Sequence, residues 1–236
     1  MKRIKYTYFV LVVTVIVVLL LSIDANAQQF IVEKISGNVS VLKGTSEEYA
    51  QIKKGDKLSG NDVLITDESS FVQLSSGDNN FVLRSNAALG LNHIKEVSIN
   101  DLLLALTMEE IRNLPKNNST NAKSTAVYGS EIKTNPSAIT ENLLGIKKLN
   151  GAKQLAESGY KESAVIVAKE TYRKHPATRS MVDERIYFAD VLFDLKLLNE
   201  ALEEYQTIAD LDLSEPQKGD LSGKIEAVTL KISNSN

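Results

Sequence analysis

Between Gly37 and Leu91 the glycines and apolar residues recur in an order that suits a small β domain and little else. Gly37-Asn-Val-Ser-Val41, Ile52-Lys-Lys-Gly-Asp-Lys-Leu58, Asp62-Val-Leu-Ile-Thr66, Phe71-Val-Gln-Leu74, Phe81-Val-Leu83 and Leu89-Gly-Leu91 are short β-rich runs separated by Gly, Asn, Asp and Ser clusters. In Phe71–Leu74 and Phe81–Arg84 apolar residues nearly alternate with polar ones, which puts one strand face on a core and the other in water. The pattern predicts an all-β sandwich or roll. Gly55-Asp56, Ser59-Gly60-Asn61 and the run from Ser75 to Asn80 supply the positive φ angles and side-chain hydrogen bonds of tight turns. Asp56, Asp62, Asp67 and Asp78 raise a calcium site as a reading. They lack the odd-position spacing of a calcium loop, so turn chemistry accounts for them better.

The succession Gly-x-Val-x-Val, Ile-x-x-Gly-Asp-x-Leu-x-x-x-Asp-Val-x-x-Thr, a Ser-rich turn, Phe-Val-x-Leu, Ser-Gly-Asp and Phe-Val-Leu-x-Ser-Asn-x-x-Leu resembles the FecR-type domain, over about residues 30–95. Regulators of that family place a cytoplasmic segment and a membrane span before the periplasmic domain. Here the β run follows the N-terminal apolar segment almost directly, so the resemblance implies a domain type that binds envelope components rather than signal transfer across a membrane.

Residues 1–27 read as a signal peptide. Lys2, Arg3 and Lys5 form a positive start, Phe9 to Ile23 an apolar run, and Ala25-Asn26-Ala27 a cleavage signal before Gln28. The apolar run falls short of the roughly 20 residues that span a bilayer. A cleaved leader and a periplasmic or secreted chain are expected, with an inner-membrane anchor as the alternative. Taking Lys2, Arg3, Lys5 and Asp24 away from 27 basic and 30 acidic side chains leaves 24 against 29, an acidic mature chain that makes nucleic acid an unsuitable partner. The absence of cysteine excludes disulfides, a thiol nucleophile and an acylated cysteine, and suits a bacterial envelope protein.

Beyond the expected β domain (28–97), Ser98 to Pro115 reads as one helix with a polar cap, acidic Asp101 in its first turn and Pro115 as its stop. Leu102, Leu103, Leu106, Ile111 and Leu114 cover more than one face, so the helix is expected to lie on the β domain as a lid and show a second apolar edge. Residues 116–140 are too polar for a core and read as a linker, with Thr125–Gly129 as one candidate strand.

From residue 141 the period turns helical. Ala152 to Ala164, followed by Ala168, Tyr172 and Pro176, aligns with Ala189 to Ala201, followed by Tyr205 and Ile208, at an offset of 37. Small residues twelve apart let the two helices of a hairpin approach closely. This resembles two tetratricopeptide-type repeats without the Trp and one Gly of that pattern, and with a longer period than the usual ~34. Lys218–Ile232 is expected to cap the stack, with Asp210 and Asp212 at a solvated helix end. The fold class is therefore α+β in two domains, the second spanning 141–236. The repeat geometry implies that Asp183, Ile186, Asp190, Phe193 and Asp194 face a concave surface suited to basic segments; their spacing alone puts the three aspartates on one helical face.

Catalysis finds little support. His93 and His175, the two histidines, have no partner at recognisable spacing, and no nucleophile elbow, metal-binding pair of histidines or phosphate loop is present. Glu109-Glu110 and Glu203-Glu204 are neighbours in sequence, so on a helix they point apart. No cofactor is expected. The leading expectation is an exported envelope protein that works as a non-catalytic interaction scaffold, with other envelope proteins or peptides as partners. The alternatives are a membrane-anchored sensory component and a hydrolase with an unrecognised site.

Overall fold

A computed structural model describes residues 28–44, 46, 48–77, 79–113 and 141–234. The expected leader, Asp78, Leu114, Pro115 and the expected linker with its candidate strand lie outside them. The order is sheets first and helices after, an α+β layout. Strands β1 (Gln29–Ser36), β4 (Lys57–Ser59), β6 (Phe71–Ser76) and β7 (Asn79–Leu83) form one antiparallel sheet in the order β4-β1-β6-β7. The other, β3-β2-β5-β8, joins β2 (Val39–Leu42), β3 (Tyr49–Gln51), β5 (Val63–Thr66) and β8 (Ala88–Gly90). Phe30, Val32, Val72, Leu74, Phe81 and Leu83 of the first sheet are buried in the same core as Val39, Val41, Leu64 and Leu89 of the second. In β6 and β7 the near-alternation of Phe71–Leu74 and Phe81–Arg84 predicted one face on a core, here Val72, Leu74, Phe81 and Leu83.

Two strands were not legible in the sequence. β1 is the longest of all, but its pairing with β6 shifts register between Val32 and Lys34. Phe30 and Val32 point inward and Ile35 does too, which breaks the period of two at Glu33. β3 is three residues long and wholly exposed, so it carries no hydrophobic pattern.

Helix α1 (Ile99–Asn113) starts at Ser98, whose hydroxyl accepts from the Asp101 amide. The expectation that it lies on the β sandwich is corrected here. It packs along α3 (Lys161–Lys174) of the helical half, burying Leu102 and Leu106, with Arg173 Nε donating to Glu109 Oε2 at 2.5 Å and Arg179 to Asn113. Its expected second apolar edge exists, as Leu104, Met108 and Ile111.

The remaining helices are α2 (Glu141–Glu157), α4 (Val182–Asp194), α5 (Leu198–Ala209) and α6 (Glu215–Ser233). They form two hairpins, α2–α3 and α4–α5, followed by α6. Ala152, Ala164, Ala189 and Ala201 are all 0% exposed, as small residues between closely packed helices would be. The hairpin turns match as well. In the first, Gly159 has φ +94° and the Tyr160 amide donates to the Leu155 carbonyl; in the second, Lys196 has φ +65° and the Leu197 amide donates to Leu192. Gly159 and Lys196 are 37 residues apart, so the internal repeat extends to backbone conformation. Contacts between successive units recur at a separation of 34 or 35: Tyr187 to the Lys153 carbonyl, Lys169 to Glu204, Gln217 to Asp183, Lys224 to Asp190.

One face of α2 joins the halves. Lys147 Nζ, 4% exposed, donates to the Thr66 carbonyl (2.9 Å) and to Asp67 Oδ1 (2.5 Å). Asn150 donates to the Asn86 carbonyl, Gln154 accepts from the Arg84 amide, and Glu157 pairs with the Arg84 guanidinium at 3.0 Å. Between them Gly151 lets the helix touch β8. A Cβ there would sit 2.3 Å from the Ala88 carbonyl oxygen, which explains a glycine in a helix interior, where it costs about 1 kcal/mol of helix propensity.

Candidate functional site

Among the residues expected to form a concave binding face, Ile186 is buried and the others meet the chain itself. Asp183 Oδ1 accepts from Gln217 at 2.8 Å. Lys224 Nζ donates to both oxygens of Asp190 at 2.9 Å, and the Tyr205 hydroxyl donates to the same carboxylate. Phe193 lies under the Lys231 ammonium, 4.0 Å from its ring centre, and Asp194 pairs with Lys161 at 2.9 Å. Asp183 and Asp190, seven apart on α4, meet Gln217 and Lys224, seven apart on α6, and Phe193 further along α4 meets Lys231 further along α6. The two helices therefore run parallel, and the acidic face of one is answered by the other.

A different cleft lies open between α1, α3 and α5. Its volume is about 340 Å³ and its lining includes Leu106, Glu109 and Glu110 of α1, Lys169, Tyr172 and Arg173 of α3, and Glu200, Glu203 and Glu204 of α5. Asn113, Arg179, Arg185, Leu192 and Thr207 complete the lining. The helical period sorts its charges. In each adjacent pair, Glu109-Glu110 and Glu203-Glu204, one carboxylate turns inward and one outward. Glu109 (7% exposed) bonds Arg112 and Arg173; Glu204 (6% exposed) bonds Lys169 and Arg185, the latter at 2.8 Å. Burial raises the Glu204 carboxyl, and Lys169 and Arg185 outweigh it, holding the group below its ordinary value. Arg179 donates to the Tyr172 carbonyl and to Asn113.

What stays unanswered is Glu110, Glu200 and Glu203, which have no ion pair or hydrogen bond among the described residues. Tyr172 also lines the cleft, and its hydroxyl is itself buried, with no hydrogen-bond partner among the described residues. Its residue is 7% exposed, and the charges that act on the hydroxyl include those of Glu204 and Arg185, both on the cleft wall. Burial, reinforced by Glu204, pushes its pKa well above the ordinary value, so it remains a neutral donor and acceptor. An unmet buried hydroxyl costs about 1–3 kcal/mol, which makes this position unusual. Sequence reasoning missed the cleft because α1 and α5 are far apart in the chain. The one available signal was the pair of adjacent glutamates on each helix.

The histidines are not brought together in the cleft. His93, at the end of the short 3-10 turn Leu91–His93, lies at the junction of the halves with Nε2 3.9 Å from Glu170 Oε2. Burial lowers its pKa; Glu170 opposes this, and Lys95, Lys148 and Lys174 add to it. His175 is buried at the turn after α3. The aspartates weighed as a calcium site serve separate turns. Asp56 accepts from the Lys53 amide, Asp62 from the amides of Gly44 and Ser59, and Asp67 from Asn38 and Lys147. Among the described residues no three acidic or histidine side chains are grouped to hold a metal, and no helix is long and apolar enough to cross a membrane.

No known protein family, characterised protein or solved structure matches this chain.

Proposed function

We propose that this chain is an exported envelope protein that holds other proteins and carries out no chemistry itself, a FecR-like β module joined to a tetratricopeptide-like stack. The leader pattern of residues 1–27 and the absence of cysteine support export. The repeated hairpin geometry, with its matched turns at Gly159 and Lys196, supports the helical-repeat reading. The observation that carries the binding role is the cleft between α1, α3 and α5, where Glu110, Glu200 and Glu203 have no ion pair among the described residues. The β sandwich serves as scaffold: α2 is pinned to it through Lys147 and Gly151, which fixes the orientation of the stack.

The test has two parts. Mass spectrometry of the mature N-terminus should find Gln28 first; an intact leader would point to the anchored sensor instead. Full chains carrying either the native cleft or Glu110→Gln, Glu200→Gln and Glu203→Gln are then used to capture partners from envelope extract. Loss of defined partners in the variant supports a holding role at the cleft. Turnover of a small substrate that disappears on changing His93 or His175 would overturn the non-catalytic reading.

A further inference from the structure

We propose that this chain pairs with a second copy of itself through α1, the two helices lying antiparallel across a twofold axis that passes beside Met108. The inference does not depend on the holding role proposed above. It starts from the edge of α1 turned away from α3, where Leu104, Met108 and Ile111 are 62%, 44% and 57% exposed. Steps of four and three residues keep these side chains in one row, because each residue turns a helix by about 100°. A row of that period is the seam along which two helices pack. Leu102, Leu106 and Glu109 are buried on the opposite side of α1, so the row is separate from the core the helix already serves.

The row fits itself. Leu104 and Ile111 lie symmetrically about a point between Thr107 and Met108, so a second α1 running the opposite way sets Leu104 against Ile111 at both ends and Met108 against Met108 at the centre. That is the match a twofold interface requires. Charge selects this direction. Asp101 and Arg112 are exposed on the same flank of the row, near its two ends. In an antiparallel pair like flanks face each other, and the register brings Asp101 of one copy within about 3 Å, along the axis, of the level of Arg112 in the other, twice over. In a parallel pair that flank would face the uncharged one that holds Thr107. Arg112 gives one nitrogen to Glu109 and stays 54% exposed, while Ser98 bonds Asp101 Oδ2; Glu110 lines the cleft and stays clear of the pairing. Three side chains cover far less than the roughly 800 Å² per partner of a standard interface, so the dimer forms and dissociates with concentration, with Kd on the order of 10 µM.

The chain has no cysteine, so single introduced cysteines report the contact against a clean background. In the full chain under mild oxidation, Met108→Cys should give a disulfide-linked dimer. Leu104→Cys and Ile111→Cys should link to each other when mixed and neither to itself, because like positions lie about 10 Å apart along the axis and a disulfide needs Cα atoms within ~7 Å. Ser222→Cys, exposed on α6, measures random collision. Sedimentation of the native chain should show dimer rising with concentration, and Leu104→Glu with Ile111→Glu should weaken that association about tenfold or more. Both side chains face solvent in the single copy, so the double variant should melt with the native chain when both are dilute. Linking at Met108 no faster than at Ser222, self-linking at Leu104 and Ile111 without the mixed product, or association that the double variant leaves unchanged would each overturn the proposal. So would a clear loss of melting temperature in the dilute double variant, which would show that the chain covers the row with its own residues.

Discussion

The helical half carries two acidic faces, and they differ in what answers them. On α4, Asp183, Asp190 and Asp194 are met by Gln217, Lys224, Tyr205 and Lys161 from the same chain. In the cleft, Glu109 and Glu204 are met in the same way, whereas Glu110, Glu200 and Glu203 are not. Helical spacing shows which carboxylates share a face and is silent on whether the fold brings a cation to them. A face that has been answered belongs to the architecture.

The comparison breaks most sharply at Glu204. Changing it to Gln strands Lys169 and Arg185 beside a cleft wall, and should lower stability on the order of 3 kcal/mol. Chemical denaturation reads this directly; a loss under about 1 kcal/mol would mean that Glu204 is as spare as Glu203. Next comes the joint between the halves. Gly151→Ala drives a methyl group into the Ala88 carbonyl and should cost about 2 kcal/mol, seen as earlier melting.

Lys196→Gly works in the opposite direction. It relieves a left-handed backbone that the first hairpin assigns to Gly159, and should raise stability by about 1 kcal/mol. No gain would argue against the matched turns. A fourth expectation concerns pH. The folded value of His93 lies below its unfolded ~6.5, so the neutral ring contributes stability that is fully present above about pH 6.5 and is lost as pH falls through the folded value. Melting temperature should therefore decline between pH 7 and 5.5, and His93→Gln should flatten that decline. The groups facing the ring, Glu170, Lys95, Lys148 and Lys174, are unchanged by the substitution.

Much of this architecture was legible. Short β-rich runs between turn clusters named six strands, and the alanines twelve residues apart in each hairpin are all four fully buried. The failures have separate physical causes. A bulge at Glu33 hid β1 by breaking its alternation. Helix α1 was assigned to the wrong neighbour because its pattern shows that Leu102 and Leu106 are buried and does not show against what. Lys147 reads in sequence as one more surface lysine on a helix that has two in a row. It becomes a buried tether because Asp67 and the Thr66 carbonyl lie across the joint, where its hydrogen bond and charge hold the Asp67 carboxyl below its ordinary value. Long-range partners of this kind have no local signature.

The contrast between the answered and unanswered faces is tested most directly by neutralising each in the full chain and comparing thermal melting. Asp183→Asn, Asp190→Asn and Asp194→Asn together remove the charges that α6 and Lys161 meet, and should lower the melting temperature by about 4 °C, the equivalent of 1–2 kcal/mol. Glu110→Gln, Glu200→Gln and Glu203→Gln together remove charges that meet no cation among the described residues, and should leave it within about 1 °C of the native chain. The reverse order, with the cleft variant melting well below the α4 variant, would show that the chain itself uses the cleft carboxylates and would contradict the account.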